Sequence, residues 1–94
     1  RIRWKARELG FEKVSFKGQK LRCYFIRNPQ SPFYESPVFQ NILEWVSVKG
    51  VKEGIILKQS RNYLIFVKDN IRSLQKVNLL LQRIIEDVVN APVL

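Results

Sequence analysis

"FEKVSFKGQKLRCYFIR", residues 11–27, decides the fold. Val14 and Phe16 alternate with Lys13, Ser15 and Lys17, and further on Leu21, Cys23 and Phe25 alternate with Arg22 and Tyr24. A period of two sends successive side chains to opposite faces of a strand. Gly18-Gln19 predicts a two-residue turn of type II′, which favours glycine in first place. Pairing Lys17 with Lys20 then sets Phe16 opposite Leu21 and Val14 opposite Cys23. The apolar sides agree, and a slip of one residue would turn them all outward. The same register gathers Lys13, Lys17, Lys20 and Arg22 on the other face, with Tyr24 as the one aromatic expected there.

Upstream, "RIRWKARELG" places Ile2, Ala6 and Leu9 on one face of a helix, with Gly10 placed to end it. Trp4 lies off that stripe, and its expected place is against the hairpin or an upstream segment. The chain opens mid-helix without an initiator Met, so the expectation is a piece of a longer protein.

Downstream, "NPQSPFYESPVF", residues 28–39, packs three prolines and three aromatics into twelve residues. A linker would be poor in large apolar groups. Ser31 and Ser36 each precede a proline, which keeps them extended. Ser36 can cap a helix and Pro37 suits its first position, where no N–H is needed. The stretch therefore predicts a rigid connection that packs its aromatics on the core and launches a helix. That helix carries Val38, Ile42, Trp45 and Val46 on one side, flanked by Phe39 and Leu43, and Gly50 is expected to close it.

Two further strands are expected over Ile55–Lys58 and Tyr63–Lys68, with a turn at Gln59–Asn62. Both are apolar on both faces, so at least one is expected to be central and covered on both sides. Leu74, Val77, Leu81, Ile84, Ile85 and Val88 then recur at helical spacing behind Ser73 as cap, widened by Leu80 and Val89. "NAPVL" reads as a frayed end or the start of something further. The order is α-β-β-α-β-β-α, an α+β domain with one antiparallel sheet of two hairpins packed with helices. A chain of 94 residues is expected to form a single domain over 1–94.

The formal net charge of +9 is uneven: residues 1–27 hold nine Lys and Arg against two acids. Such a surface suits nucleic acid, an acidic protein surface or plain solvation. Histidine is absent and Cys23 is the lone cysteine, which removes the usual general base, nucleophile pairs and multi-cysteine metal sites. Cys23 alternates inward and reads as a small buried hydrophobe; a lone thiol fits a reducing cytoplasm. Glu86-Asp87 is the one adjacent acidic pair and reads as two solvent-facing carboxylates. No phosphate-binding glycine motif is present. No catalytic, cofactor-binding or metal-binding residue is assigned, and the expectation is a binding or regulatory domain, not an enzyme. No apolar run approaches the ~18 residues a membrane span needs.

At Leu9–Val14 ("LGFEKV") and Ser31–Phe39 ("SPFYESPVF") the sequence resembles the C-terminal domain of bacterial transcription-repair coupling factors. The resemblance runs from Ile2 to Ile85 in the order and spacing of elements. The proline-aromatic segment is its specific part. It implies a regulatory domain at the end of a large cytoplasmic, ATP-dependent double-stranded-DNA translocase, with ATP and Mg bound in motor domains elsewhere in the parent. Such a parent displaces RNA polymerase stalled at DNA lesions and recruits nucleotide-excision repair through the damage-recognition protein UvrA. The implied role of the domain is autoinhibition: it packs on the parent's N-terminal UvrA-binding module and masks it. The hairpins and charge differ from better-studied members, so no contact residue is carried over. Lys13, Lys17, Lys20 and Arg22 are instead candidate contacts to phosphates or an acidic partner, read from the hairpin register alone. The alternative function is a basic nucleic-acid-binding module using that face.

Overall fold

The computed structural model describes residues 2–90. Helix α1 (Ile2–Glu8) is followed by strands β1 (Phe11–Lys17) and β2 (Lys20–Phe25). Helix α2 (Pro37–Trp45), strands β3 (Ile55–Gln59) and β4 (Leu64–Lys68) and helix α3 (Leu74–Val88) complete the expected order. The four strands form one antiparallel sheet in the order β1-β2-β4-β3, so the two hairpins meet along β2 and β4. Arg1 and the expected tail at 91–94 lie outside the described residues.

The β1–β2 register is the expected one: Lys17 pairs Lys20, Phe16 pairs Leu21 and Val14 pairs Cys23. The turn differs. Gly18 and Gln19 both have positive φ, 56° and 65°, the pattern of type I′ and not of type II′. In that pose the Gln19 carbonyl accepts a hydrogen bond from the Ile71 N–H at 2.9 Å, which ties the hairpin tip to the segment before α3.

Alternation carries through the strands except at a bulge in β1 between Phe11 and Lys13, which turns Phe11 inward. Val14, Cys23, Phe66 and Leu57 stand in one row and Phe16, Leu21 and Ile55 in the next, all toward the helices. Phe25, Phe66, Leu21, Cys23 and Ile55 are fully buried there, in one core with Leu9 just after α1, Ile42 of α2 and Val77, Leu81 and Ile84 of α3. Burying a side chain of this size contributes about 1.5–3 kcal/mol. The three helices lie on this face, and among the described residues no helix lies over the opposite one.

The proline-aromatic stretch is a rigid part of the domain. Pro32–Glu35 is one 3₁₀ turn, capped by Ser31, whose Oγ accepts from the Phe33 N–H at 3.2 Å. Ser36 then does two jobs: its Oγ accepts from the Phe39 N–H at 3.2 Å and donates to the Phe33 carbonyl at 2.6 Å. One serine thus joins the end of the turn to the start of α2. Phe33, Tyr34 and Phe39 meet one another with centroids 5.0–5.7 Å apart, and Phe39 meets Phe25 edge to face at 5.5 Å. The Phe33 ring also covers Gly10, which ends α1 with φ +84°; a Cβ at Gly10 would lie 2.1 Å from the ring.

Three expectations are corrected. Gly50 does not close the α2 segment: its φ is −65°, and the chain continues through a π turn over Val46–Gly50 and a 3₁₀ turn over Val51–Glu53. Gly54, at φ +76°, makes the left-handed stop. Trp4 is 62% exposed, so of its two expected places the hairpin does not cover it. Leu74 begins the α3 stripe but is 59% exposed, because the first turn of that helix overhangs the edge of the core.

Strand β4 is central, as expected for one of the two apolar strands. Its outward residues Ile65 and Val67 are 9% and 8% exposed with no helix over them. Their cross-strand neighbours, Tyr24 and Lys58 beside Ile65, Arg22 and Ile56 beside Val67, cover them instead.

Candidate functional site

The outer face of the sheet is the first candidate, built by the same alternation that buries the inner one. Lys13, Lys17, Lys20 and Arg22 all stand on it, so the register does bring the four candidate contacts together. They are not equivalent. Lys20 forms an ion pair with Asp69 at 3.5 Å. Lys13 Nζ sits 5.1 Å from the centroid of the Tyr24 ring, within cation–π range. Arg22 is half-buried beside Val67, and Lys17 extends into solvent at the edge.

Two members of this face were missed in the sequence. Lys58 of β3 falls on it, in the row Lys13–Tyr24–Ile65–Lys58 that crosses all four strands. Tyr63 meets Tyr24 edge to face at 5.2 Å, so the face carries an aromatic pair and not one ring. The parity of β3 and β4 is obscured by their apolar residues on both sides, and only the pairing to β2 shows which side chains face outward.

Beyond Tyr63 the face runs into a cleft of about 590 Å³ between the end of β2 and the β3–β4 turn. Arg27, Arg61, Ser60 and Asn62 line it, with Tyr34, Phe39 and Tyr63 as its apolar wall. The turn is held by Ser60, whose N–H donates to the Tyr63 carbonyl at 2.8 Å while its Oγ accepts from the Tyr63 N–H at 3.2 Å. The Tyr34 hydroxyl donates to the Ile26 carbonyl. Burial, and secondly the charge of Glu12, push the Tyr34 phenol above its ordinary range, so it stays a neutral donor. Glu12 in turn accepts from the Arg27 N–H at 3.0 Å, fixing the exit of β2.

A second concavity, about 810 Å³, runs between α1 and the free edge of β1. Ile2, Phe11, Val14, Phe16 and Leu74 give it an apolar floor, and Arg3 and Arg7 border it. Lys13 touches both this groove and the sheet face.

Of the groups weighed for chemistry, Cys23 is fully buried, and desolvation pushes its thiol far above the ordinary range. Asp87 is not a free surface acid. Its Oδ2 accepts from the Trp45 indole N–H at 2.8 Å and from Lys49 Nζ at 3.2 Å, joining α2 to α3. The Trp45 hydrogen bond holds its carboxyl below the usual range; burial opposes it, and Lys49 and then Arg83 add to the lowering. Arg83 lies over the Trp45 ring at 5.7 Å and pairs with Glu53, closing the same corner. Glu86 does face solvent, accepting only from Gln82. Among the described residues no group of three His, Cys, Asp or Glu gathers in a way that could hold a metal ion. No described helix is long and apolar enough to cross a membrane. Comparison of the chain with protein-family models, with curated proteins and with solved structures finds no match.

Proposed function

We propose that this chain is a non-catalytic regulatory docking domain of the kind that ends bacterial transcription-repair coupling factors. In this reading it sits on the parent's N-terminal UvrA-binding module and masks it. The parent would be a cytoplasmic, ATP-dependent DNA translocase that displaces stalled RNA polymerase. The observation that carries the docking role is the α1–β1 groove, an apolar floor open to solvent with Leu74 59% exposed at its rim. Arg3, Arg7, Glu12 and Lys13 also line the groove, so it is a mixed apolar and charged surface of the kind that suits a protein partner. Arg3 and Arg7 beside it favour a partner surface with carboxylates at its border. The resemblance over Leu9–Val14 and Ser31–Phe39 supports the assignment of the partner, because the second segment is part of the domain's own framework and marks the family, not a separate bait.

The direct test is to titrate the domain into the parent's isolated UvrA-binding module by calorimetry. Binding is expected, with Leu74→Glu weakening it at least tenfold while leaving the melting temperature unchanged. Absence of binding at about 1 mM, the order of the effective concentration of a linked domain, would sink the reading.

A further inference from the structure

The outer sheet face has a different composition from the α1–β1 groove and points to a different ligand. Its central row runs Lys13–Tyr24–Ile65–Lys58, with a cation at each end and a ring inside. Three inter-strand gaps separate the two lysines, about 14 Å. Tyr63 joins Tyr24 at 5.2 Å, and Tyr63 is also a wall of the cleft that holds Arg27 and Arg61. Two adjoining rings are thus bordered by cations along the row and at the cleft. None of Lys13, Lys58, Arg27 and Arg61 forms an ion pair with a side chain among the described residues.

We infer that this face and its cleft bind single-stranded nucleic acid, with a base on Tyr63, a second on Tyr24, and phosphates on Lys13, Lys58, Arg27 and Arg61. Stacking on an aromatic is open to every base, and an open four-stranded sheet is a suitable platform for it. The guanidinium fork of an arginine matches phosphate oxygens two at a time. A duplex hides its base faces and would use only the cations. A carboxylate-rich protein segment would also use the cations, but it has nothing to place on the two rings. The inference does not rest on the docking role proposed above, since Tyr63 and Arg61 lie outside the α1–β1 groove.

The test is fluorescence anisotropy of the folded chain with three labelled probes: an oligo-dT strand, a DNA duplex of equal length and an oligo-glutamate peptide. Oligo-dT is expected to bind best. With four phosphates held, its affinity should fall about 50-fold as salt rises from about 50 to 200 mM. Tyr63→Ala should weaken oligo-dT at least fivefold with the duplex affinity unchanged. Arg61→Glu, on an exposed turn, serves as a second variant should Tyr63→Ala fail to fold, and should weaken oligo-dT at least fivefold. No oligo-dT binding at ~50 mM salt would overturn the inference. So would duplex binding as tight as oligo-dT, or oligo-dT binding indifferent to both substitutions, since either means charge attraction alone. Tighter capture of oligo-glutamate would reassign the face to an acidic protein.

Discussion

The two faces of the sheet are made by the same strands, residue by alternate residue, yet they hold opposite chemistry. The inner face has Leu21, Cys23, Phe25, Ile55 and Phe66, all fully buried. The outer face has Lys13, Lys17, Lys20, Arg22 and Lys58 around two tyrosines and three aliphatics. The inner face is covered by three helices. Among the described residues the outer face is covered by its own side chains, which shield Ile65 and Val67 and leave Ile56 56% exposed. A surface that is half-built in this way folds without a partner and still has contacts left to offer. Stability is therefore expected to reside on one face and binding on the other, and substitutions can test that division.

The largest effect is expected at the middle of the inner face. Phe66 is fully buried, pairs with Cys23 and Leu57 across β4, and its ring lies 5.6 Å from that of Phe11. Phe66→Ala removes a ring from a site walled by strands on both sides, so the cavity can collapse only in part. It should destabilise the domain by about 3–5 kcal/mol in urea titration. Arg22→Ala, one residue before Cys23 on the neighbouring strand but outward, should change stability by no more than about 0.5 kcal/mol. Similar losses at both positions would mean that the outer face also belongs to the folding core.

The inner face and its sidedness were legible because the first hairpin alternates from Lys13 onward; the bulge between Phe11 and Lys13, which turns Phe11 inward, was not. The helix starts were legible too, since Ser36-Pro37 and Ser73 leave few other readings. What could not be read were features set by pairing between distant segments. Lys58 and Tyr63 fall on the candidate site only because β4 hydrogen-bonds to β2, and nothing local to "EGIILKQSRNYLIFVKD" fixes their parity. Asp87 looked like a surface acid, because the indole that claims it is 42 residues away in the chain. The turn at Gly18-Gln19 takes its shape with Ile71, far along the chain, as hydrogen-bond partner to Gln19. The candidate cations of the first hairpin were legible for the same reason as the core: one register serves both faces.

A smaller effect tests where the inner layer ends. Gly10 closes α1 in a left-handed conformation, and the Phe33 ring occupies the space a side chain would need. Gly10→Ala therefore suffers twice, once in its backbone and once in displacing the ring from Tyr34 and Phe39. A loss of about 2–4 kcal/mol is expected. Phe33→Ala in the same background should recover part of it, because removing the ring removes the clash but not the backbone strain. The two substitutions adding independently would mean that the proline-aromatic segment is not packed on the end of α1.

The smallest effect lies at the corner where α2 meets α3, away from the outer face. The Asp87 carboxylate is favoured in the folded state by the Trp45 indole and by Lys49, so its folded pKa lies below the ordinary, unfolded value of about 3.9. A depressed folded pKa means that the unfolded chain takes up the proton first. The stabilisation is thus present in full above about pH 4, and it fades as the pH falls through the folded pKa. Asp87→Asn keeps an acceptor for the indole and removes the charge. It should flatten the acid limb of the stability–pH curve while leaving the alkaline limb unchanged, measured by urea titration with Trp45 emission as the probe. Because the corner lies on the helical side and not on the outer face, oligo-dT affinity at neutral pH should be the same for wild type and Asp87→Asn. A shift in both stability and affinity would show that the helical layer and the outer face are coupled through the sheet, and the division between them would have to be drawn elsewhere.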